Sequence, residues 1–195
     1  MSAFESINLR WNPFGEPSFR ERIELALARP IPVEPGTLVQ IVAPEGMGKT
    51  SLLLGQLHFR QDAVYWRADR DGPAPRPRPS GGRALLLLDE ADSLPRRRLA
   101  RIIRPWTMVL AATHRDLSSW AKRPVKTMDM PALDRKTLRS IVARRLEWAR
   151  LGPGPLPQVS EEFLGRLLDE HGGNLRALED DLYEWFQDLK EKGRL

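Results

Sequence analysis

The stretch Ala43-Pro44-Glu45-Gly46-Met47-Gly48-Lys49-Thr50 decides how the rest of the 195-residue chain is read. It follows the pattern of a phosphate-binding loop, with Ala43 in place of the first glycine. That first position mainly ends a strand, so alanine is compatible with it. Gly46 and Gly48 let backbone N–H groups curl around an anionic phosphate. The helix that follows points its N-terminus at the same place. Lys49 is expected to reach the β- and γ-phosphates of a nucleotide, and the Thr50 hydroxyl to ligate Mg²⁺. Pro44, Glu45, Gly46, Met47, Gly48, Lys49, Thr50 and Ser51 together form the expected nucleotide cradle.

The surroundings of the loop agree with this. Residues 37–43 are mostly apolar and read as a strand. Residues 49–59 open with Lys-Thr-Ser-Leu-Leu-Leu and read as a helix. Upstream, Asn12-Pro13-Phe14-Gly15 reads as a turn and Ser18 to Ala28 as a helix, with Ser18 and Glu21 at capping-box spacing. Downstream, residues 63–68, 84–88, 107–113 and 125–130 read as strands. The run Leu85-Leu86-Leu87-Leu88 is apolar without alternation, as a strand buried on both faces of a parallel sheet should be. Between the second and third strands lies only a Pro/Arg/Gly-rich loop, residues 71–82. After Pro131 the period changes to helical, with helices expected over 134–148, 160–171 and 174–190.

The four leucines end in Asp89-Glu90, the Walker B pattern. Asp89 is expected to hold Mg²⁺ and Glu90 to polarise an attacking water. Asp89-Glu90-Ala91-Asp92 also spells a helicase box, but such helicases need two RecA-like domains and this chain has room for one plus a lid.

The order of these features resembles an AAA+ ATPase of the compact origin-recognition or transposition-helper type. The resemblance runs over residues 12–190. It implies an α/β fold: a five-stranded parallel P-loop sheet flanked by helices, then a small all-helical lid. It divides the chain into an N-terminal segment flanking the nucleotide (1–35), an α/β core (36–131) and a lid (132–195). It implies ATP and Mg²⁺ as ligands. It places sensor 1 at Thr113, with His114 as the second candidate. It places sensor 2 at Arg176, in Gly172-Gly173-Asn174-Leu175-Arg176, where a guanidinium would grip phosphate. It places an arginine finger, serving a neighbouring subunit, at Arg123, with Lys122 and Arg115 as competitors. AAA+ proteins usually carry a helix between strands two and three. The loop 71–82 in that slot argues against a threading motor.

The chain lacks cysteine, which excludes disulfides, thiolate zinc sites and cysteine nucleophiles. No apolar run approaches the ~18 residues of a membrane span, and residues 1–10 lack the apolar stretch of a signal peptide. A cytoplasmic location is the expectation. Net charge is +5 but uneven: residues 76–150 hold 18 basic and 7 acidic side chains, residues 151–195 hold 5 and 10. Arg96, Arg97, Arg98, Arg101 and Arg104, with loop residues Arg76, Arg78 and Arg83, read either as a phosphate-tracking stripe for nucleic acid or as a subunit interface.

These readings converge on a Mg²⁺-dependent ATPase. It is expected to act as a homo-oligomeric switch or remodeller on a protein or nucleic-acid partner. The alternative is a nucleotide-gated adaptor with little or no hydrolysis.

Overall fold

The computed structural model describes residues 4–27, 29–69, 72–76 and 84–192, with side chains through residue 189. It resolves into two compact units, Arg22–Pro131 and a second made of Met1–Glu21 with Ala132–Leu195.

The first unit is built on five strands: β1 (Leu38–Val42), β2 (Ala63–Arg67), β3 (Leu85–Asp89), β4 (Met108–Thr113) and β5 (Val125–Asp129). All pairings are parallel and the order is β2-β3-β4-β1-β5. The expected five-stranded parallel sheet is what forms. Because the strands are parallel, every residue that follows a strand lies at one end of the sheet and every residue that precedes one lies at the other.

Side-chain alternation assigns the two faces. Leu86, Leu88, Val109 and Ala111 pack with Leu99, Ile102 and Ile103 of helix α3 (Arg96–Ile103). Leu85, Leu87, Leu110 and Ala112 pack on the other side with Leu53 of helix α2 (Lys49–Gly55). All of β3 and β4 is buried, whereas edge strand β5 is largely exposed. Each buried leucine contributes about 2 kcal/mol. The helix after the phosphate loop is shorter than the sequence suggests: the α-helix stops at Gly55 and a 3-10 turn, Gln56–His58, completes it. There the Gln56 side chain accepts from Ile31 N–H at 2.8 Å and donates to Arg29 and Leu52 carbonyls, clasping the segment before β1.

A polar residue lies in the middle of central strand β1. Gln40 is fully buried, donates to Asp116 (2.6 Å) and Thr127 (2.8 Å), and accepts from Leu117 N–H (2.8 Å). It fixes the β4–β5 connection to the sheet. The Gln40 amide and the Ser118 groups hold the Asp116 carboxyl below its ordinary range.

Helix α1 (Phe19–Leu25) bridges the two units in sequence, and its capping box forms as expected: Ser18 N–H donates to Glu21 Oε2 at 2.8 Å. In the second unit, α4 (Arg135–Ala149), α5 (Glu161–His171) and α6 (Leu175–Lys192) follow the three expected segments closely. Asp134 caps α4 through Thr137 N–H and Ser160 caps α5 through Phe163 N–H. Phe4, Leu9 and Phe14 join the same core as Leu138, Leu146, Leu178 and Phe186. Phe14 stacks on Phe186 at 5.7 Å. Arg145, buried beneath this turn, bonds Glu179 at 2.7 Å and lies 5.8 Å from the Phe14 ring. Among the described residues, no helix is long and apolar enough to cross a membrane.

Candidate active site

The site gathers at the end of the sheet where strands finish. β1 runs into the loop 43–48, β3 ends in Asp89-Glu90, and β4 runs into His114. Gly46 and Gly48 have φ of +81° and +87°, conformations that glycine adopts without a side-chain clash. Gly48 is therefore the residue that turns the chain into α2. Lys49 is buried. Its ammonium donates to the Ala43 and Pro44 carbonyls, both at 2.7 Å. Burial pushes its pKa below the ordinary lysine value, against the raising pull of Glu90, Asp89, Asp92 and Glu45.

The Thr50 hydroxyl donates to Asp89 Oδ2 at 2.8 Å, so the two expected metal ligands already touch. Asp89 is almost wholly buried, and its Oδ2 also accepts from the Tyr65 hydroxyl at 2.8 Å. A buried carboxylate beside a hydroxyl, both oxygen donors, is the ligand chemistry that suits Mg²⁺. The geometry thus fits the ion.

Glu90 has a left-handed backbone, φ +53° and ψ +44°, unusual for a residue other than glycine. This turns its carboxylate back toward the loop. Oε2 lies 3.1 Å from His114 Nε2 and Oε1 lies 3.6 Å from Arg67 Nη2. On its other side, His114 Nδ1 is 3.4 Å from Lys49 Nζ. The tautomer that satisfies both contacts carries its proton on Nε2 and offers Nδ1 as acceptor. His114 thus bridges the loop lysine and the Walker B glutamate. Its own N–H donates to Asp92 Oδ1 at 3.1 Å.

The expected sensor residues fare differently. Thr113 is fully buried, and its hydroxyl donates to the Arg115 carbonyl (2.8 Å) and accepts from Arg115 N–H (3.2 Å). It shapes the turn, and His114 is the polar side chain brought to Glu90. Arg115 is exposed beside Asp92. Arg123 donates to the Trp106 carbonyl at 3.0 Å and the Ile103 carbonyl at 2.9 Å, and burial lowers its pKa from the ordinary value. It precedes β5, and so lies at the end of the sheet away from the phosphate loop. Arg176 lies exposed in the first turn of α6, after Gly172 and Gly173, both at positive φ. Pro44, Glu45 and Ser51 are exposed, and Met47 is half-buried.

The five-stranded all-parallel sheet, its flanking helices and the helical segments that follow it are the fold class that the resemblance implied. No protein-family model matches the chain, and no curated protein matches it. Among solved structures it is similar to the Aeropyrum pernix ORC1 protein, determined in complex with DNA. That likeness is at 17% identity and TM-score 0.48, over 98% of this chain and 65% of that one. It is also similar to a Pyrococcus horikoshii signal transduction ATPase with numerous domains, which carries a tetratricopeptide repeat sensor. There the identity is 13% and the TM-score 0.39, over 87% of this chain and 30% of the other. The chain therefore spans less than two thirds of either neighbour.

Sequence reasoning did not find Tyr65 and Arg67. They sit on one face of β2 in register with Leu87 and Asp89 of β3, and parallel pairing of two strands brings them to the acidic pair. The only signal was a polar end to an otherwise apolar strand. Arg78 and Arg83 lie outside the described residues; Arg76 is exposed.

Proposed function

We propose that this chain is a Mg²⁺-dependent ATPase that works as an oligomeric switch. The observation that carries this is the single cluster of Lys49, Thr50, Asp89, Glu90 and His114. Its members come from three strand ends and lie within hydrogen-bond reach of one another. The backbone N–H groups of residues 45–50 and the Lys49 ammonium hold the nucleotide phosphates. Thr50 and Asp89 would hold Mg²⁺, which would supply positive charge to the phosphates. Glu90 takes a proton from the attacking water. His114 orients the Glu90 carboxylate through Nε2–H and reports on Lys49 through Nδ1. When phosphate draws the Lys49 ammonium off the Ala43 and Pro44 carbonyls, His114 loses its partner there and Glu90 is freed to turn.

The residues of 132–195 act as a lid, with Arg176 contributing a phosphate contact, and the segment before residue 36 flanks the base. Lys122 and Arg123 precede β5 and cannot serve their own phosphate loop. Their reading as a finger requires a second copy of the chain.

A nucleotide-gated adaptor with slow turnover is the second reading. It is favoured by one observation: both Glu90 oxygens already face cations or N–H donors, Arg67 and His114. Steady-state ATP turnover with and without Mg²⁺, beside equilibrium ATP binding, tests the pair. Binding with Mg²⁺-dependent turnover supports the ATPase; binding without turnover supports the adaptor; no binding contradicts both.

A further inference from the structure

At the opposite end of the sheet lies an open groove of about 890 Å³. Its charged lining consists of Arg96, Arg97, Arg101, Arg104, Lys122 and Arg123, and among the described residues no acidic side chain lines it. We propose that this groove binds the sugar–phosphate backbone of double-stranded nucleic acid.

The placement follows from topology. Arg104 precedes β4, Lys122 and Arg123 precede β5, and Gly36, also on the lining, precedes β1. In an all-parallel sheet these are neighbours at one end, and the phosphate loop is at the other. The groove is thus separate from the chain's own nucleotide site, and its proposal, which rests on Arg97, Arg101 and Arg104, stands whether or not ATP is hydrolysed.

The local chemistry favours a linear polyanion. Arg97, Arg101 and the C-cap Arg104 recur at i, i+4 and i+7, along one face of α3 and its end, while Leu99, Ile102 and Ile103 bury the other. At 1.5 Å rise per residue this stripe is about 10 Å long, the scale of several backbone phosphates rather than one small anion. Arg123 fixes its end by donating to the Ile103 and Trp106 carbonyls, where a cation also meets the negative end of the helix. Lys122 is exposed, with a left-handed backbone at φ +49°. Among the described residues, Arg96, Arg97, Arg101, Arg104 and Lys122 have no carboxylate partner. Like charges ~6 Å apart repel by about 0.7 kcal/mol per pair in water, so the groove carries an electrostatic cost that a bound polyanion removes.

Guanidinium forks match phosphate oxygens two at a time. Among the described residues no aromatic lines the groove, and Trp106 is buried, so a duplex backbone suits it better than a single strand with unstacked bases. A second copy's acidic helices are the competing occupant. Several of their carboxylates are already engaged, Glu161 with Arg139, Glu179 with Arg145 and Asp181 with His171.

The test is fluorescence polarisation with a short DNA duplex of arbitrary sequence, titrated between about 50 and about 200 mM salt. Arg97→Glu with Arg101→Glu is compared with Arg98→Glu plus Lys136→Glu, an equal charge change on exposed residues outside the groove. The proposal predicts binding that is indifferent to sequence. The groove pair should lose at least ~10-fold in affinity and lower the salt slope by about 2; the control pair should lose far less. Circular dichroism melts establish that each variant is folded, and Arg97→Gln with Arg101→Gln replaces the reversal if it is not. Equal losses in both pairs, or no duplex binding by the parent protein at low salt, overturns the proposal. So does a groove variant that keeps DNA affinity and instead loses salt-sensitive self-association in sedimentation, which would assign the groove to a second copy. A parent protein that binds duplex but not ATP would overturn the ATPase reading and leave this one standing.

Discussion

The Thr50 hydroxyl and the Asp89 carboxylate, 39 residues apart in the chain, meet at 2.8 Å. The contact links the first turn of α2 to the last residue of β3. It sets the spacing between the phosphate loop and the acidic pair.

Lys49→Ala is expected to abolish detectable ATP binding while leaving the fold intact. Lys49 is the loop's single fixed cation, and its ammonium is held within the loop by two carbonyls. Isothermal titration with ATP, beside a thermal melt, checks this; unchanged affinity in a folded variant would remove the phosphate-loop assignment.

Gln40→Leu should cost about 1–3 kcal/mol, because it leaves the buried Leu117 N–H without an acceptor. Urea unfolding measures it. The same variant should loosen residues 114–118, read as faster amide exchange there. A stability equal to the parent's would show that the β4–β5 connection does not depend on this side chain.

Arg145→Ala should destabilise the helical unit by about 3 kcal/mol, the lower end of what breaking a buried ion pair costs. Its partner Glu179 is only partly buried, which keeps the effect at that end. Loss of near-ultraviolet signal from Trp148 and Trp185 at lower urea would report it, and coincident parent and variant curves would contradict it.

Specific ATPase activity should rise with protein concentration if neighbouring copies complete the site. Mixing Lys49→Ala with either Lys122→Ala or Arg123→Ala should restore part of the lost turnover, since one mixed interface pairs an intact loop with an intact cation. A finger is worth about 10³–10⁵ in rate where it has been measured. Activity independent of concentration, with no rescue in either mixture, would show that each chain works alone.

The sheet was legible because its strands announce themselves. Leu85–Leu88 has no alternation because both faces are covered, and Ala43–Thr50 leaves few conformations other than a phosphate loop. Helix ends were legible where caps are written in local sequence, as at Ser18, Asp134 and Ser160. What sequence could not show was which of two adjacent polar residues, Thr113 or His114, would face Glu90. That depends on the turn after β4, where the Thr113 hydroxyl closes on Arg115. Nor could it show that Arg123 bonds the end of α3, or that Gln40 is a buried clasp, because both are long-range contacts without a spacing rule.

The central claim is that Glu90 acts on water at a Mg²⁺-ATP site. Its most direct test is Mg²⁺-dependent turnover and ATP affinity measured together for the parent and for Glu90→Gln. The account predicts unchanged ATP affinity and turnover lower by ~10²-fold or more, the range that removal of a general base gives. Near-parent turnover in a variant that still binds ATP would contradict it.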